Sequence, residues 1–86
     1  MFYTYILYSV SKDKFYVGYT HNIELRLERH NSGNSRSTKA GIPWKLVHYE
    51  IFKTKSEAMK RESEIKRKKS RKYIEKLIAE GRPENL

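Results

Sequence analysis

The chemistry-bearing side chains of this 86-residue chain fall where a fold has little structural use for them. Tyr5 sits in an apolar N-terminal run, Tyr16 opens the tripeptide Tyr16-Val17-Gly18, Arg26 and His30 lie one helical turn apart, and Glu62 interrupts an otherwise apolar helix face. A lone carboxylate suffices for a hard cation such as magnesium, which takes one or two protein carboxylates and completes its shell with waters and phosphate oxygens. A guanidinium fork meets the non-bridging oxygens of a phosphate, and a divalent metal acts as a Lewis acid on the phosphate and its leaving oxygen. A phenol with its ordinary pKa near 10 is a weak base at neutral pH, so a metal ion or Arg26 nearby must lower it.

The elements that must position these groups are legible in turn. Phe2 to Tyr8 and Phe15 to Tyr19 are rich in aromatic and β-branched residues and flank Ser11-Lys12-Asp13-Lys14, the pattern of a hairpin. A four-residue loop over Val10 to Asp13 sets Ser9 opposite Lys14, Leu7 opposite Tyr16 and Tyr5 opposite Gly18, which puts Tyr5 and Tyr16 on one sheet face. Glycine weakens a strand, so Gly18 implies that another group approaches the backbone there, a substrate being one candidate. The plainer alternative is that seven tyrosines in a short chain land in strands by propensity alone.

Asn22 is a natural N-cap for a helix over Ile23 to His30 that ends near Asn31-Ser32-Gly33. Helical spacing clusters Ile23, Arg26, Leu27 and His30, so Arg26 and His30 border the apolar stripe. A snorkelling arginine and a histidine near a helix C-terminus would produce the same pattern. Lys45 to Phe52 reads as a third strand, with Val47, Tyr49 and Ile51 on one face, Leu46 and Phe52 on the other, and His48 at the strand surface. Thr54-Lys55-Ser56-Glu57 has the capping-box pattern and starts a helix to about Lys68. On its wheel Ala58, Met59, Glu62 and Ile65 share a face, with Lys60, Arg61, Glu64 and Arg67 elsewhere, so Glu62 falls in the stripe that meets the sheet. A carboxylate there is costly unless it is paired or holds a metal. An ion pair with Arg26 or a lysine is the structural alternative. Tyr73, Ile74, Leu77 and Ile78 mark a last helix from near Ser70 to around Gly81.

Together these residues resemble the GIY-YIG nuclease superfamily, and its small, stand-alone bacterial members most of all. Thr4-Tyr5-Ile6 occupies the place of the first tripeptide and Tyr16-Val17-Gly18 that of the second. Ile23-x-x-Arg-Leu-x-x-x-His30 is similar to the family's arginine helix, and Glu57-Ala-Met-x-x-Glu62-x-x-Ile-Lys66 to its metal-binding segment. The resemblance runs from Tyr3 to about Ile78. It departs at Thr4, where the tripeptide glycine is missing, and at Tyr19, where many members carry a lysine. The resemblance implies a divalent-metal-dependent endonuclease acting on DNA. Tyr5 or Tyr16 would serve as general base or hold the attacking water, and Arg26 would stabilise the phosphorane-like charge. His30 would assist proton transfer or orient a tyrosine, and Glu62 would bind Mg²⁺ or Mn²⁺. The competing expectation is a basic nucleic-acid-binding module that keeps the scaffold with little or no turnover. A third is a protein-interaction domain whose basic helices dock an acidic partner.

Composition agrees with a polyanionic partner. Nineteen Lys and Arg against ten Asp and Glu leave a formal charge of +9. The excess concentrates in the block Lys66, Arg67, Lys68, Lys69, Arg71 and Lys72, which reads as a nucleic-acid contact or as a solvated helix end. Asn31 to Trp44 lacks periodicity and is long for so small a chain, the mark of a functional or mobile loop. Within it Arg36, Ser37, Thr38 and Lys39 are placed to reach phosphate oxygens, or to form an ordinary polar loop.

The expected architecture is α/β: a small three-stranded antiparallel sheet flanked by helices in the order β-β-α-β-α-α, one domain over residues 1–80 and a flexible tail over 81–86. No accessory DNA-binding module fits in this length, so target choice rests on this surface or on a targeting protein partner. The absence of cysteine excludes disulfides and thiolate metal sites and suits a reducing cytoplasm. The short, tyrosine-broken N-terminal run is neither a signal peptide nor a membrane span.

Overall fold

The two N-terminal aromatic runs pair in the register that the four-residue loop implies. The computed structural model describes residues 1–81. It contains strands β1 (Phe2–Ser9) and β2 (Lys14–Thr20), helix α1 (Ile23–Asn31), a 3-10 turn (Lys39–Gly41), strand β3 (Trp44–Phe52), and helices α2 (Lys55–Lys68) and α3 (Arg71–Ala79). Tyr5 faces Gly18, Leu7 faces Tyr16 and Ser9 faces Lys14 across an antiparallel ladder. β3 joins the other side of β1, giving the order β2-β1-β3 with β1 central. This is the expected three-stranded α/β arrangement. A central strand buries both faces, and β1 accordingly carries no charged residue.

One apolar cluster, Tyr5, Leu7 and Trp44, packs with Tyr16, Ile23, Leu27, Ile42, Leu46 and Tyr49. The opposite cluster, Ile6, Val17 and Ile65, packs with Phe15, Val47, Tyr73, Ile74 and Leu77. α1 therefore covers one face of the sheet, and α2 and α3 the other.

β3 departs from simple alternation. Ile6 faces His48 while Leu7 faces Leu46, so Val47 is an extra residue bulged out of the ladder. An inserted residue reverses the side-chain sense beyond it. Val47 thus packs with Ile65 and not beside Tyr49, while Leu46 joins the Tyr5 cluster, correcting the expected division of this strand.

His48 is likewise buried and not at the strand surface. It pairs with Ile6 and so lies on the α2 side, where Nε2 meets Glu50 Oε2 at 2.8 Å. Arg61 then donates to both Glu50 oxygens, at 2.9 and 3.1 Å, and to the Tyr73 hydroxyl at 3.1 Å. β3, α2 and α3 are tied together by this chain of charge-assisted bonds. Burial alone would push the Glu50 carboxyl up. The hydrogen bonds from His48 and Arg61, with the Arg61 charge, outweigh it and bring the pKa to about 2.

Within α2 the capping box forms, Thr54 Oγ1 accepting from the Glu57 N–H and Glu57 from the Thr54 N–H, both at 3.2 Å. Ala58 and Ile65 are buried, and the Ala58 carbonyl accepts from Thr4 Oγ1 at 2.8 Å. Two wheel positions differ from expectation: Met59 is 42% exposed, and Arg61 is turned inward toward Glu50.

Lys69, in the left-handed region at φ 47°, ends α2, and Ser70 caps α3 by accepting from the Tyr73 N–H. Arg71 reaches back to the hairpin loop, bonding Asp13 Oδ1 at 2.6 Å and the Asp13 carbonyl at 3.0 Å.

The segment between α1 and β3 is anchored. Asn31 accepts from the Trp44 N–H at 2.6 Å and donates to its carbonyl at 3.0 Å. Trp44 Nε1 donates to the Thr38 carbonyl at 2.7 Å. Gly41 lies flat on the indole, where a Cβ would stand 2.3 Å from the ring. The tail expected over 81–86 lies, after Gly81, outside the described residues. Among the described residues no helix is long and apolar enough to cross a membrane.

Candidate active site

Tyr5 is placed by the central strand, and its ring lies across the β2 backbone at Gly18. A Cβ on Gly18 would stand 2.7 Å from the Tyr5 hydroxyl and 3.2 Å from the Tyr16 ring. The close approach that the glycine implied is therefore made by Tyr5 itself. Both phenols project on the α1 side, with ring centroids 6.4 Å apart.

α1 begins at Asn22, whose side chain accepts from the Leu25 N–H at 3.0 Å, and this start sets the helix rotation. The last turn then delivers His30 into the core at 2% exposure. Its Nε2 lies 3.2 Å from the Tyr5 hydroxyl and its Nδ1 2.9 Å from Thr38 Oγ1. The Tyr16 ring centroid is 4.8 Å from that of His30 and 6.2 Å from that of Trp44. The result is a buried row, Tyr5, His30, Thr38, walled on one side by Tyr16. With Nδ1–H donated to Thr38, Nε2 carries the lone pair and accepts from the phenol; the other tautomer reverses both bonds.

Electrostatics favours neutral groups in this row. Burial pushes the Tyr5 phenol well up, Tyr16 and Glu62 add to the shift, and Arg26 opposes it. A phenol lowered by Arg26 is thus not what Tyr5 provides; its proton is held. Burial, then the Arg26 charge, depresses His30 below its usual range, so the imidazole is neutral near pH 7. Tyr16 is the less buried of the two phenols.

The charges of Arg26 on α1 and Glu62 on α2 both bear on the Tyr5 phenol, in opposite senses. Arg26 is half-buried, and its guanidinium takes part in none of the salt bridges of the described residues. Glu62 is 18% exposed, and its Oε2 accepts from Lys66 Nζ at 2.8 Å. Of the two ion-pair alternatives, the lysine is the one present, and Arg26 has no ion-pair partner among the described residues. Lys66 is 53% exposed and can swing into water, which frees the carboxylate.

Among the described residues no group of three or more His, Cys, Asp or Glu could enclose a metal. A zinc cage is therefore absent from them. One accessible carboxylate suits a hydrated magnesium or manganese ion that takes its remaining ligands from water and phosphate.

The nucleic-acid candidates divide. Arg36, Lys39, Arg67, Lys69 and Lys72 are exposed. Lys68 lies over the Tyr73 ring at 5.2 Å, Lys66 is paired with Glu62, and Arg71 is held by Asp13 and Glu75. Thr38, expected among the phosphate-reaching residues, is 1% exposed and serves His30 and Trp44. Thr38, Asn31 and Trp44 support the site without having been singled out for it. Their segment has no periodicity, and His30 offered no sign of which hydroxyl would meet it.

Residues 1–74 match the family described as the GIY-YIG catalytic domain. A UPF0213 protein of Bacillus licheniformis is 43% identical over 83 residues, spanning 92% of this chain and 84% of its own. Another, from Staphylococcus saprophyticus, is 47% identical over 79 residues, spanning 90% and 95%. Among solved structures, the solution NMR structure of a UPF0213 protein from Bacillus halodurans is similar with a TM-score of 0.56 at 36% identity, over 92% of this chain and 84% of that one.

Proposed function

Because the chain belongs to the GIY-YIG catalytic domain family, whose membership points to nuclease-type chemistry, we propose that it is a divalent-metal-dependent endonuclease that hydrolyses phosphodiester bonds in DNA. The observation that carries this reading is the buried Tyr5–His30 hydrogen bond, with the charges of Arg26 from α1 and Glu62 from α2 both bearing on the Tyr5 phenol and Arg26 outside every salt bridge of the described residues.

Arg26 meets the non-bridging oxygens of the scissile phosphate and stabilises the charge that grows there. Glu62 would hold Mg²⁺ or Mn²⁺, and the ion would supply Lewis-acid stabilisation of the phosphate and its leaving oxygen. Tyr16, the more exposed phenol, positions the attacking water. Tyr5 keeps its proton and, through His30, fixes the wall of the site. His30, held between the Tyr5 hydroxyl at Nε2 and Thr38 Oγ1 at Nδ1, is oriented by Thr38.

Strand scission of labelled DNA with Mg²⁺ or Mn²⁺, and its loss in Glu62→Ala and Arg26→Ala proteins of unchanged circular dichroism, tests the proposal. Undiminished cleavage by Glu62→Ala would remove the mechanism.

The Lys66–Glu62 pair favours one alternative, a nucleic-acid-binding module with little turnover. Paramagnetic broadening by Mn²⁺ separates the two: the nuclease requires it to centre on Glu62, and the binding module shows none there and no nicked product.

A further inference from the structure

Beside the candidate active site lies a second cleft of ≈ 260 Å³ that the proposed chemistry leaves unused. Its walls include Arg26 and Arg29 from α1, Lys55 from the first turn of α2, His21 before the α1 cap, and the Tyr19 ring; no carboxylate lines it. Three fixed positive charges converge there from two helices. None takes part in a salt bridge among the described residues, whereas Arg61, Lys66, Arg71 and Lys76 all do.

Arg26 and Arg29 stand at i, i+3 on α1, where like charges repel, and nothing acidic in the cleft offsets that cost. An anion bound between them would. The two arginines also line a neighbouring cleft with His30, Asn34 and Ser35, so they form the wall shared by two basic recesses.

We propose that the Tyr19, His21, Arg29 and Lys55 cleft is a second phosphate subsite, which holds a backbone phosphodiester next to the one cut at Arg26. The chemistry recognised is a phosphate monoanion of a nucleic-acid strand. Arg29 forks onto its oxygens, Lys55 supplies a mobile point charge, and Tyr19 closes the wall with an aromatic edge. The inference rests on the nuclease reading for the adjacent phosphate, and on the cleft alone for its own.

Binding in EDTA, where metal-dependent cleavage is silent, keeps the two separable. A fluorescent DNA duplex is titrated at several salt concentrations with the full chain, with Arg29→Ala/Lys55→Ala, and with Lys12→Ala/Lys14→Ala, which removes equal charge from the hairpin end. The subsite predicts that the slope of log K against log salt becomes shallower by roughly 0.9 per contact removed in the first variant and barely changes in the second. It also predicts about a tenfold or greater loss of affinity at low salt. Arg29→Gln/Lys55→Gln must repeat the result, and amide resonances of residues 21, 29 and 55 must shift on adding the duplex. Equal slopes for the two alanine pairs would overturn the subsite, since the charge would then act only as a diffuse field. Shifts at these residues with inorganic phosphate that the duplex does not compete away would also overturn it, in favour of a free-phosphate site. If scission fails in Mg²⁺ while the slope difference persists, the nuclease reading falls and the subsite stands.

Discussion

The two faces of the sheet solve the problem of buried polarity in opposite ways. Under α2 and α3, the charge drawn inward is paired: Glu50 takes His48 and both arms of Arg61, and Arg61 continues to Glu64 and Tyr73. Under α1 the buried groups are neutral, Tyr5, His30 and Thr38 in a hydrogen-bonded row, and the charge at its edge, Arg26, has no carboxylate. Paired charges lock elements together and leave nothing for a ligand to satisfy. A neutral row with an unpaired guanidinium beside it leaves an electrostatic demand that a phosphate meets. On the proposed function, the first face holds the fold and the second receives the phosphate.

This contrast can be broken most severely at Arg26 on α1 and Glu62 on α2, the two charges that bear on the Tyr5 phenol. Arg26→Ala and Glu62→Ala should each lower cleavage by about 10²-fold or more, while the melting transition moves within about 0.5 kcal/mol. Turnover and thermal melts measured on the same samples decide it, and a large loss of stability with retained cleavage would reverse the assignment.

The opposite outcome is expected at Glu50. Removing this carboxylate strands Arg61 and His48, so Glu50→Ala should destabilise by about 2–3 kcal/mol, discounted from fully buried pairs because Glu50 is 22% exposed. Urea unfolding reads the loss, and cleavage well below the melting point should survive.

Thr38→Val, which leaves one His30 ring nitrogen without a partner, should cost about 1–3 kcal/mol and reduce turnover. Thr38→Ser, keeping the hydroxyl, should restore most of both. Equal behaviour of the two variants would strip Thr38 of its orienting role.

The smallest effect is in pH. His30 is depressed in the folded state, so its contribution is complete above its unfolded pKa near 6.5 and is lost as pH falls through the lower folded value. Glu50 is also depressed, to about 2, so its contribution is present above its unfolded value of 4.5 and drains away as pH falls from there toward 2. Acid titration of stability should therefore show one decline that sets in below pH 6.5 and another that sets in below 4.5. Glu50→Gln should remove the lower one and His30→Gln the upper.

What proved legible in the chain was local. The hairpin register follows from loop length and strand period, and the Asn22 cap and the Thr54–Glu57 box mark helix starts because those side chains bond backbone three residues away. Ser70 announces α3 for the same reason. Glu62 stands out because a carboxylate breaks an apolar period. The bulge at Val47 left no such trace, since it depends on how β3 meets a strand some forty residues earlier, and it redistributed Leu46 and Val47 between the two faces. Met59 and Arg61 exchanged expected roles because the partner of Arg61, Glu50, is on another element.

From its sequence alone the protein determined that it would form a hairpin, a capped α1, a third strand and two basic helices, and which groups could do phosphate chemistry. These properties reside in spacings of two to four residues, where backbone geometry imposes them. Tertiary structure decided that Tyr5 would lie over Gly18 with its proton held, that Thr38 would aim His30, and that Arg26 would remain unpaired while Arg61 did not. Burial and the company of distant charges set those outcomes, and both arise only once the chain has closed on itself.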